Sequence, residues 1–91
     1  MDSETFLAVM DDLFRVLMIA NNNDDTASQR PGNLYGDTWT AMRNLFLHFN
    51  KDLDAESQRR AWNWFMDGMH SGRSARDSFV YMCRDLSLAT A

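Results

Sequence analysis

The chain is poor in the features that mark secreted and membrane proteins. It has one cysteine among 91 residues, so no disulfide can form within it and no oxidising compartment is implied. Its longest apolar stretch, residues 13–20, contains Arg15 and is too short to cross a bilayer. Asp2 and Glu4 near the start argue against the basic opening of a secretory signal. We therefore expect a cytoplasmic protein with no membrane contact.

Positive charge is in deficit, and lysine is almost missing. Thirteen acidic residues outnumber nine basic ones, for a net charge of −4, and Lys51 is the single lysine beside eight arginines. An acidic chain is repelled by phosphate backbones, so nucleic-acid binding is disfavoured. Arginine is typical of interfaces and planar ion pairs, although an arginine-rich coding bias would produce the same count.

The sequence lacks the residue spacings that catalysis and metal binding require. His48 and His70 are 22 residues apart, and the carboxylate of Asp67, three residues before His70, is a weak signal for a metal site by itself. Residues 21–25 resemble a calcium loop in composition but have no glycine or glutamate at the required positions. Cys83 falls on a predicted apolar face, where a thiol is usually a packing residue. We expect no enzyme, no metal and no cofactor.

Apolar residues, by contrast, are abundant and recur at helical spacing. They make up 45% of the chain, and aromatic residues make up 12%, which supports a packed core and argues against disorder. No segment shows the alternation of a strand. The sequence therefore predicts an all-α fold, a single domain over residues 1–91 that forms a small four-helix bundle (three to five helices) with one long loop, 21–36, after the first helix.

The first helix is predicted to run from about Ser3, as its cap, to about Asn21. Four apolar residues form one stripe and five more widen it greatly. The stripe consists of Phe6, Met10, Leu13 and Leu17, and the wider set of Leu7, Val9, Phe14, Val16 and Met18. A helix that is apolar over most of its circumference needs cover on most sides. Because the chain is short, we expect part of that cover to come from a homodimer.

The second helix is predicted to begin at a capping Asp37 and to end near Asn50. Large apolar side chains recur along it at spacings of three, four and three residues, which is typical of a seam facing one neighbour. The seam consists of Trp39, Met42, Phe46 and Phe49.

The third and fourth helices have clear signals at their ends. Asp54 is a cap for the third helix, and Gly72 is a residue that can end it in a left-handed conformation. Ser74, three residues before Asp77, resembles a capping box that opens the fourth helix. The predicted inner faces are Ala61, Trp62, Phe65, Met66, Gly68 and Met69 on the third helix, and Ala75, Phe79, Met82, Cys83 and Leu86 on the fourth.

The favoured function is a small acidic interaction module with a protein partner, which regulates or inhibits a larger assembly. One concrete form is a mobile-element accessory protein whose acidic residues fill the basic groove of a host nucleic-acid-binding complex. Trp64 lies at the border of its helix's apolar face, where an aromatic side chain can anchor a partner. The candidate partner-binding residues are Asp11, Asp12, Asp24, Asp25, Trp64 and Asp67.

The alternative function is a DNA-binding regulator in which the third and fourth helices form a helix-turn-helix. Arg73 and Arg76 would then stand at the start of the recognition helix, where bases are contacted, with Arg84 further along it. Asp77 and Asp85 on the same helix, together with the acidic total, weigh against this alternative.

Overall fold

The structure is a computed structural model that describes residues 1–23 and 33–90. It has four helices and, within those two ranges, no strand. The helices are α1 (Ser3–Asn23), α2 (Leu34–Phe49), α3 (Ala55–His70) and α4 (Ala75–Thr90). The all-α class and the four helices are therefore confirmed. None of the helices in the described part of the chain is both long enough and apolar enough to span a membrane.

The chain divides into two compact units, Met1–Leu45 and Phe46–Ala91. The first unit contains α1 and most of α2, and the second contains the end of α2 with α3 and α4. The single domain expected from the sequence stays a prediction.

The cap of α1 is Asp2 and not the predicted Ser3. The Asp2 carboxylate accepts a hydrogen bond from the Thr5 backbone N–H at 2.7 Å, as a capping side chain does for the third residue of a helix. This bond lowers the pKa of the Asp2 carboxyl from its ordinary value. Asp2 and Ser3 are both good capping residues, so the local sequence does not show which of them caps α1.

The buried stripe of α1 is narrower than predicted. Phe6, Met10 and Leu17 are fully buried, as expected, but Val16 is 38% exposed and Ile19 is 52% exposed. Both lie on the side of the helix that carries the exposed Asp12 and Arg15, because residues three and four apart share a helix face. Within one chain, α1 therefore leaves part of its apolar circumference exposed. The homodimer expected from that circumference stays a prediction.

The second helix begins earlier than predicted. Asn33 caps it, since its Oδ1 accepts the Gly36 N–H at 2.6 Å and its backbone carbonyl accepts the Asp37 N–H at 2.9 Å. Asp37 thus lies in the first turn, where a carboxylate favours the positive end of the helix dipole. The predicted loop at 21–36 is correspondingly too long at both ends, because α1 continues to Asn23 and residues 34–36 are helical.

The predicted seam of α2 is wrong at its first residue. Met42 and Phe46 are fully buried, but Trp39 is 36% exposed, and Thr38 is the buried residue one turn before Met42. Spacings of three and four residues both return to one face, so the sequence fits either stripe. The Arg43 guanidinium lies 5.8 Å from the centre of the Trp39 ring, a cation–π distance.

The second unit has an aromatic core. The Phe46 ring lies 5.3 Å from the Trp62 ring and 5.2 Å from the Phe65 ring, measured between centroids. Phe49 and Phe79 make a further edge-on contact at 6.1 Å. Edge-on and tilted aromatic pairs at these distances are favourable beyond the area they bury. The predicted inner face of α3 is confirmed, since all six of its residues are buried.

Both ends of α3 and the start of α4 follow the predicted signals. Asp54 accepts the Ser57 N–H at 2.7 Å, and Ser74 Oγ accepts the Asp77 N–H at 3.2 Å. At the end of α3, the Arg73 N–H reaches the Gly68 carbonyl and the Gly72 N–H reaches the Met69 carbonyl. This pair of bonds is a Schellman motif. It requires the positive φ of 99° at Gly72, which glycine adopts at least cost.

Small residues let α3 and α4 approach closely. A Cβ placed on Gly68 would stand 2.7 Å from the Ser78 Oγ and 3.2 Å from the Ser78 Cα, so no larger residue fits without a shift. Ala61, Ala75 and Ser78 are fully buried. The close packing at this crossing sets which side chains of α3 and α4 lie opposite each other.

Candidate protein-interaction surface

Trp64 forms an aromatic pair with Tyr81 across α3 and α4. Their ring centres are 4.8 Å apart and the ring planes meet at 73°, which is the edge-to-face geometry that aromatic quadrupoles favour. Both side chains are half-buried. One part of each ring system therefore packs within the unit while another part stays open to solvent or to a partner.

Arg73 contacts the Tyr81 ring of this pair. Its guanidinium carbon lies 4.3 Å from the centre of the Tyr81 ring, which is well inside the cation–π range. Its backbone is held in the Schellman motif at the end of α3, and its Nη1 is 3.4 Å from the Ser71 Oγ. The turn between α3 and α4 thus positions the arginine that stacks on Tyr81.

An ion pair joins α3 to α4 beside the aromatic pair. Arg60 Nη2 donates to Asp85 Oδ2 at 3.0 Å, and the Asp85 side chain is the more buried partner. Exposed ion pairs contribute little, but partly buried ones with direct hydrogen bonds position their helices more firmly. The pair neutralises the carboxylate that lines a cavity together with Tyr81 and Arg84.

Two shallow cavities open on either side of Trp64. One, of about 260 Å³, is lined by Asn63, Trp64 and Asp67. The other has the same volume and is lined by Trp64, Tyr81, Arg84 and Asp85. We call these six residues together the Trp64 surface. Its members are Asn63, Trp64, Asp67, Tyr81, Arg84 and Asp85.

The Trp64 surface carries one unpaired charge of each sign. Asp67 and Arg84 are both exposed. Within the described ranges 1–23 and 33–90, neither side chain has an ion-pair partner. Charged groups of this kind are available to a partner at no cost in broken contacts within the chain.

Of the predicted partner-binding residues, Trp64 and Asp67 lie together on the Trp64 surface, and the acidic residues of α1 do not. Asp11 is half-buried, and Asp12 is exposed and pairs with Arg15 at 3.6 Å. Both belong to the first unit. Asp24 and Asp25 lie outside the described residues.

The negative charge is unevenly divided between the two units. Met1–Leu45 contains seven acidic and three basic residues, so it carries the whole net charge of −4, whereas Phe46–Ala91 contains six of each and is neutral. The acidic character of the chain therefore belongs to the first unit.

The three arginines of the helix-turn-helix alternative have different surroundings. Arg73 is stacked on Tyr81, Arg84 lines a cavity of the Trp64 surface, and Arg76 is exposed at the start of α4. The first of these is therefore already engaged within the chain. Its contact with Tyr81 would have to break before it could reach a base edge.

Cys83 is exposed and not on the inner face of α4 as predicted. Residues Ala75, Ser78 and Met82 form the buried stripe, and Cys83 lies one residue, about 100° of helix rotation, beyond it. Partial burial of its sulfur nevertheless raises the pKa of the Cys83 thiol. The sequence places Cys83 next to the apolar stripe of α4, but it does not show which residues form the edge of that stripe.

Neither histidine stands in a group of metal ligands. His70 Nδ1 donates to the Met66 carbonyl at 2.8 Å, which is a local contact within α3. In the part of the chain that the structure describes, no three His, Cys, Asp or Glu side chains are arranged to hold a metal ion.

Tyr81 was missed by the sequence analysis, although a signal for it exists. Trp64 lies eight residues before Gly72, and Tyr81 lies eight residues after Arg73. Arg60 lies twelve residues before Gly72, and Asp85 lies twelve residues after Arg73. Two helices joined by a short turn run antiparallel, so residues equally far from the turn come opposite each other. Reflection about the Gly72–Arg73 turn predicts both observed pairs.

No protein-family model, curated protein or solved structure matches the chain.

Proposed function

We propose that this chain is a protein–protein interaction module that works by contact, with the Trp64 surface as its principal contact site. The single observation that carries the proposal is the half-exposed Trp64–Tyr81 pair, flanked by two cavities and by free charges of both signs. Tryptophan, tyrosine and arginine are the residues that most often dominate the binding energy of an interface.

The rigidity of the Trp64 surface supports the proposal. The Tyr81 ring contacts both Trp64 and Arg73, and the Arg60–Asp85 ion pair joins the two helices beside it. Side chains that are already fixed lose little conformational freedom when a partner binds. A surface built in this way binds more tightly than the same residues on a mobile loop.

The charge of the first unit supports a regulatory or inhibitory role. An acidic unit of net charge −4 is attracted to a basic groove, such as that of a nucleic-acid-binding complex, and speeds the encounter with it. Within α1, Asp12 is the exposed carboxylate among the residues proposed for this contact. In this account the first unit steers the chain to its target, and the Trp64 surface supplies the principal protein–protein contact.

The test compares two tryptophan variants in the native host. The tagged chain is recovered with its partners, which are quantified by mass spectrometry. Trp64→Ala is expected to lower partner recovery at least about tenfold, in the range of an aromatic hot spot. Trp39→Ala is the matched control, because Trp39 is also partly exposed and also faces an arginine, and it is expected to keep the partners.

A charge variant separates lost binding from lost folding. Arg84→Glu changes an exposed side chain and leaves the aromatic packing in place, so its helicity and Tm should match the wild type. Equal partner recovery for the wild type, Trp64→Ala and Arg84→Glu would refute the proposal.

A further inference from the structure

We infer that the occupant of the Trp64 surface is the Trp64 surface of a second copy of this chain, in a two-fold symmetric dimer. The inference rests on the proposed function, because it names the partner of the same contact site. It depends on the charges and aromatic groups of α3 and α4, all of which lie in the second unit.

The charges of the Trp64 surface are self-complementary. In a two-fold contact, a residue of one copy that contacts a different residue of the other copy makes that contact twice, once in each direction. The surface must therefore contain both residues of every interacting pair. The Trp64 surface has one unpaired anion, Asp67, and one unpaired cation, Arg84, which line different cavities that share Trp64. Two copies turned about an axis near Trp64 therefore form two ion pairs, Asp67 to Arg84 and Arg84 to Asp67.

The half-buried aromatic pair belongs to the same surface as these charges. Trp64 and Tyr81 are half-buried in one chain, and the exposed part of each ring system still contacts water. Packing the two pairs against each other removes this remaining aromatic area from water, which is the main favourable term in association. Asp85 does not oppose the contact, since Arg60 already neutralises it.

The exposed apolar residues of the first unit suit a second copy less well. Val16 and Ile19 are exposed on α1, but they belong to the unit that carries the whole net charge of −4. A two-fold contact there brings two acidic units together, and their repulsion opposes it. The second unit is neutral, so a contact between two second units brings no net charges together at the contact itself.

The dimer would display two acidic first units at once. Two linked units bind a repetitive or two-fold basic target with greater avidity than one, because the second contact is made at high effective concentration.

A charge-swap experiment tests this arrangement. Molar mass is measured by sedimentation equilibrium over a range of concentrations for the full chain. The wild type should approach twice the mass of one chain. Arg84→Asp and Asp67→Arg each place like charges opposite each other twice, so each should weaken dimerisation at least about tenfold. A mixture of the two variants restores both ion pairs and should dimerise again, as should the double variant Asp67→Arg/Arg84→Asp.

The control is Arg76→Asp, which makes the same charge change at an exposed position of α4 outside the Trp64 surface, and it should dimerise like the wild type. A wild type that stays monomeric, single variants that dimerise normally, or a mixture that does not recover would each overturn the inference. If the wild type is monomeric while Trp64→Ala still loses host partners, the proposed function stands and only the second copy is excluded.

Discussion

At the scale of single residues, the most demanding position is the crossing of α3 and α4. Gly68 and Ser78 allow the helices to approach so closely that an added Cβ on Gly68 would meet the Ser78 Cβ at 3.0 Å and its Cα at 3.2 Å. The Cα cannot move without moving α4. The register that brings Trp64 opposite Tyr81 therefore depends on two small side chains.

Gly68→Ala is expected to destabilise the chain by about 1–3 kcal/mol, because overpacking outweighs the gain of about 1 kcal/mol in helix propensity. Urea unfolding measures the change. The double variant Gly68→Ala/Ser78→Gly removes the clashing Oγ and Cβ and should be more stable than the sum of the two single effects predicts. Strict additivity of the single variants would contradict the account.

Ser78→Ala is expected to leave stability unchanged or to raise it by up to about 1 kcal/mol. The Ser78 Oγ is buried and has no hydrogen-bond partner within residues 1–23 and 33–90, and such a group costs its desolvation without a compensating bond. The same urea measurement applies. A clear loss of stability would mean that the hydroxyl makes a bond that this account omits.

Although Cys83 is exposed, it is expected to react with iodoacetamide more slowly in the folded chain than in the unfolded chain. Its pKa is raised by partial burial, so less of it is thiolate at pH 8 than in the unfolded chain, and the thiolate is the reactive form. Mass spectrometry should show slower alkylation for the folded chain than for the chain in urea, with a difference that narrows as pH rises through the folded-state pKa. Equal rates at pH 8 would contradict the assigned burial.

At the scale of helices, some ends could be predicted from capping residues and others could not. Asp54, Ser74 and Gly72 each have the predicted role. Asp2 stands beside Ser3, and Asn33 stands four residues before Asp37. Where several capping residues lie within one turn, tertiary contacts choose among them, and the sequence does not show those contacts.

The Asp54 cap should make the stability of the chain depend on acid. The hydrogen bond from the Ser57 N–H lowers the pKa of the Asp54 carboxyl below its ordinary value of 3.8. The stabilisation is therefore present above that value and is lost as pH falls through the lower, folded-state pKa. Asp54→Asn keeps a capping oxygen that does not titrate, so the Tm of the wild type should fall more than that of Asp54→Asn between pH 7 and pH 2.

Asp54→Ala removes the capping hydrogen bond and should have a lower Tm at pH 7 than Asp54→Asn. This comparison distinguishes the loss of the hydrogen bond from the loss of the charge. An identical acid dependence of Tm for the wild type and Asp54→Asn would show that the Asp54 carboxylate does not stabilise α3.

At the scale of the whole molecule, the sequence predicted the all-α class and two members of the site. Trp64 was found from its border position on a helix, and Asp67 from its charge and face. Tyr81 and the Arg60–Asp85 ion pair depend on the register between α3 and α4, which a helix-by-helix reading does not include. The division of charge between the units likewise depends on a boundary within α2 that no composition shift marks.

The most direct test of the central claim, that the chain makes its contacts through the Trp64 surface, is ¹⁹F NMR of the chain labelled with fluorotryptophan. The three tryptophans (Trp39, Trp62 and Trp64) give separate resonances, which single Trp→Phe variants assign. As chain concentration rises or a recovered partner is added, the Trp64 resonance should shift or broaden while the Trp39 resonance stays unchanged. A response at Trp39 with none at Trp64 would contradict the account.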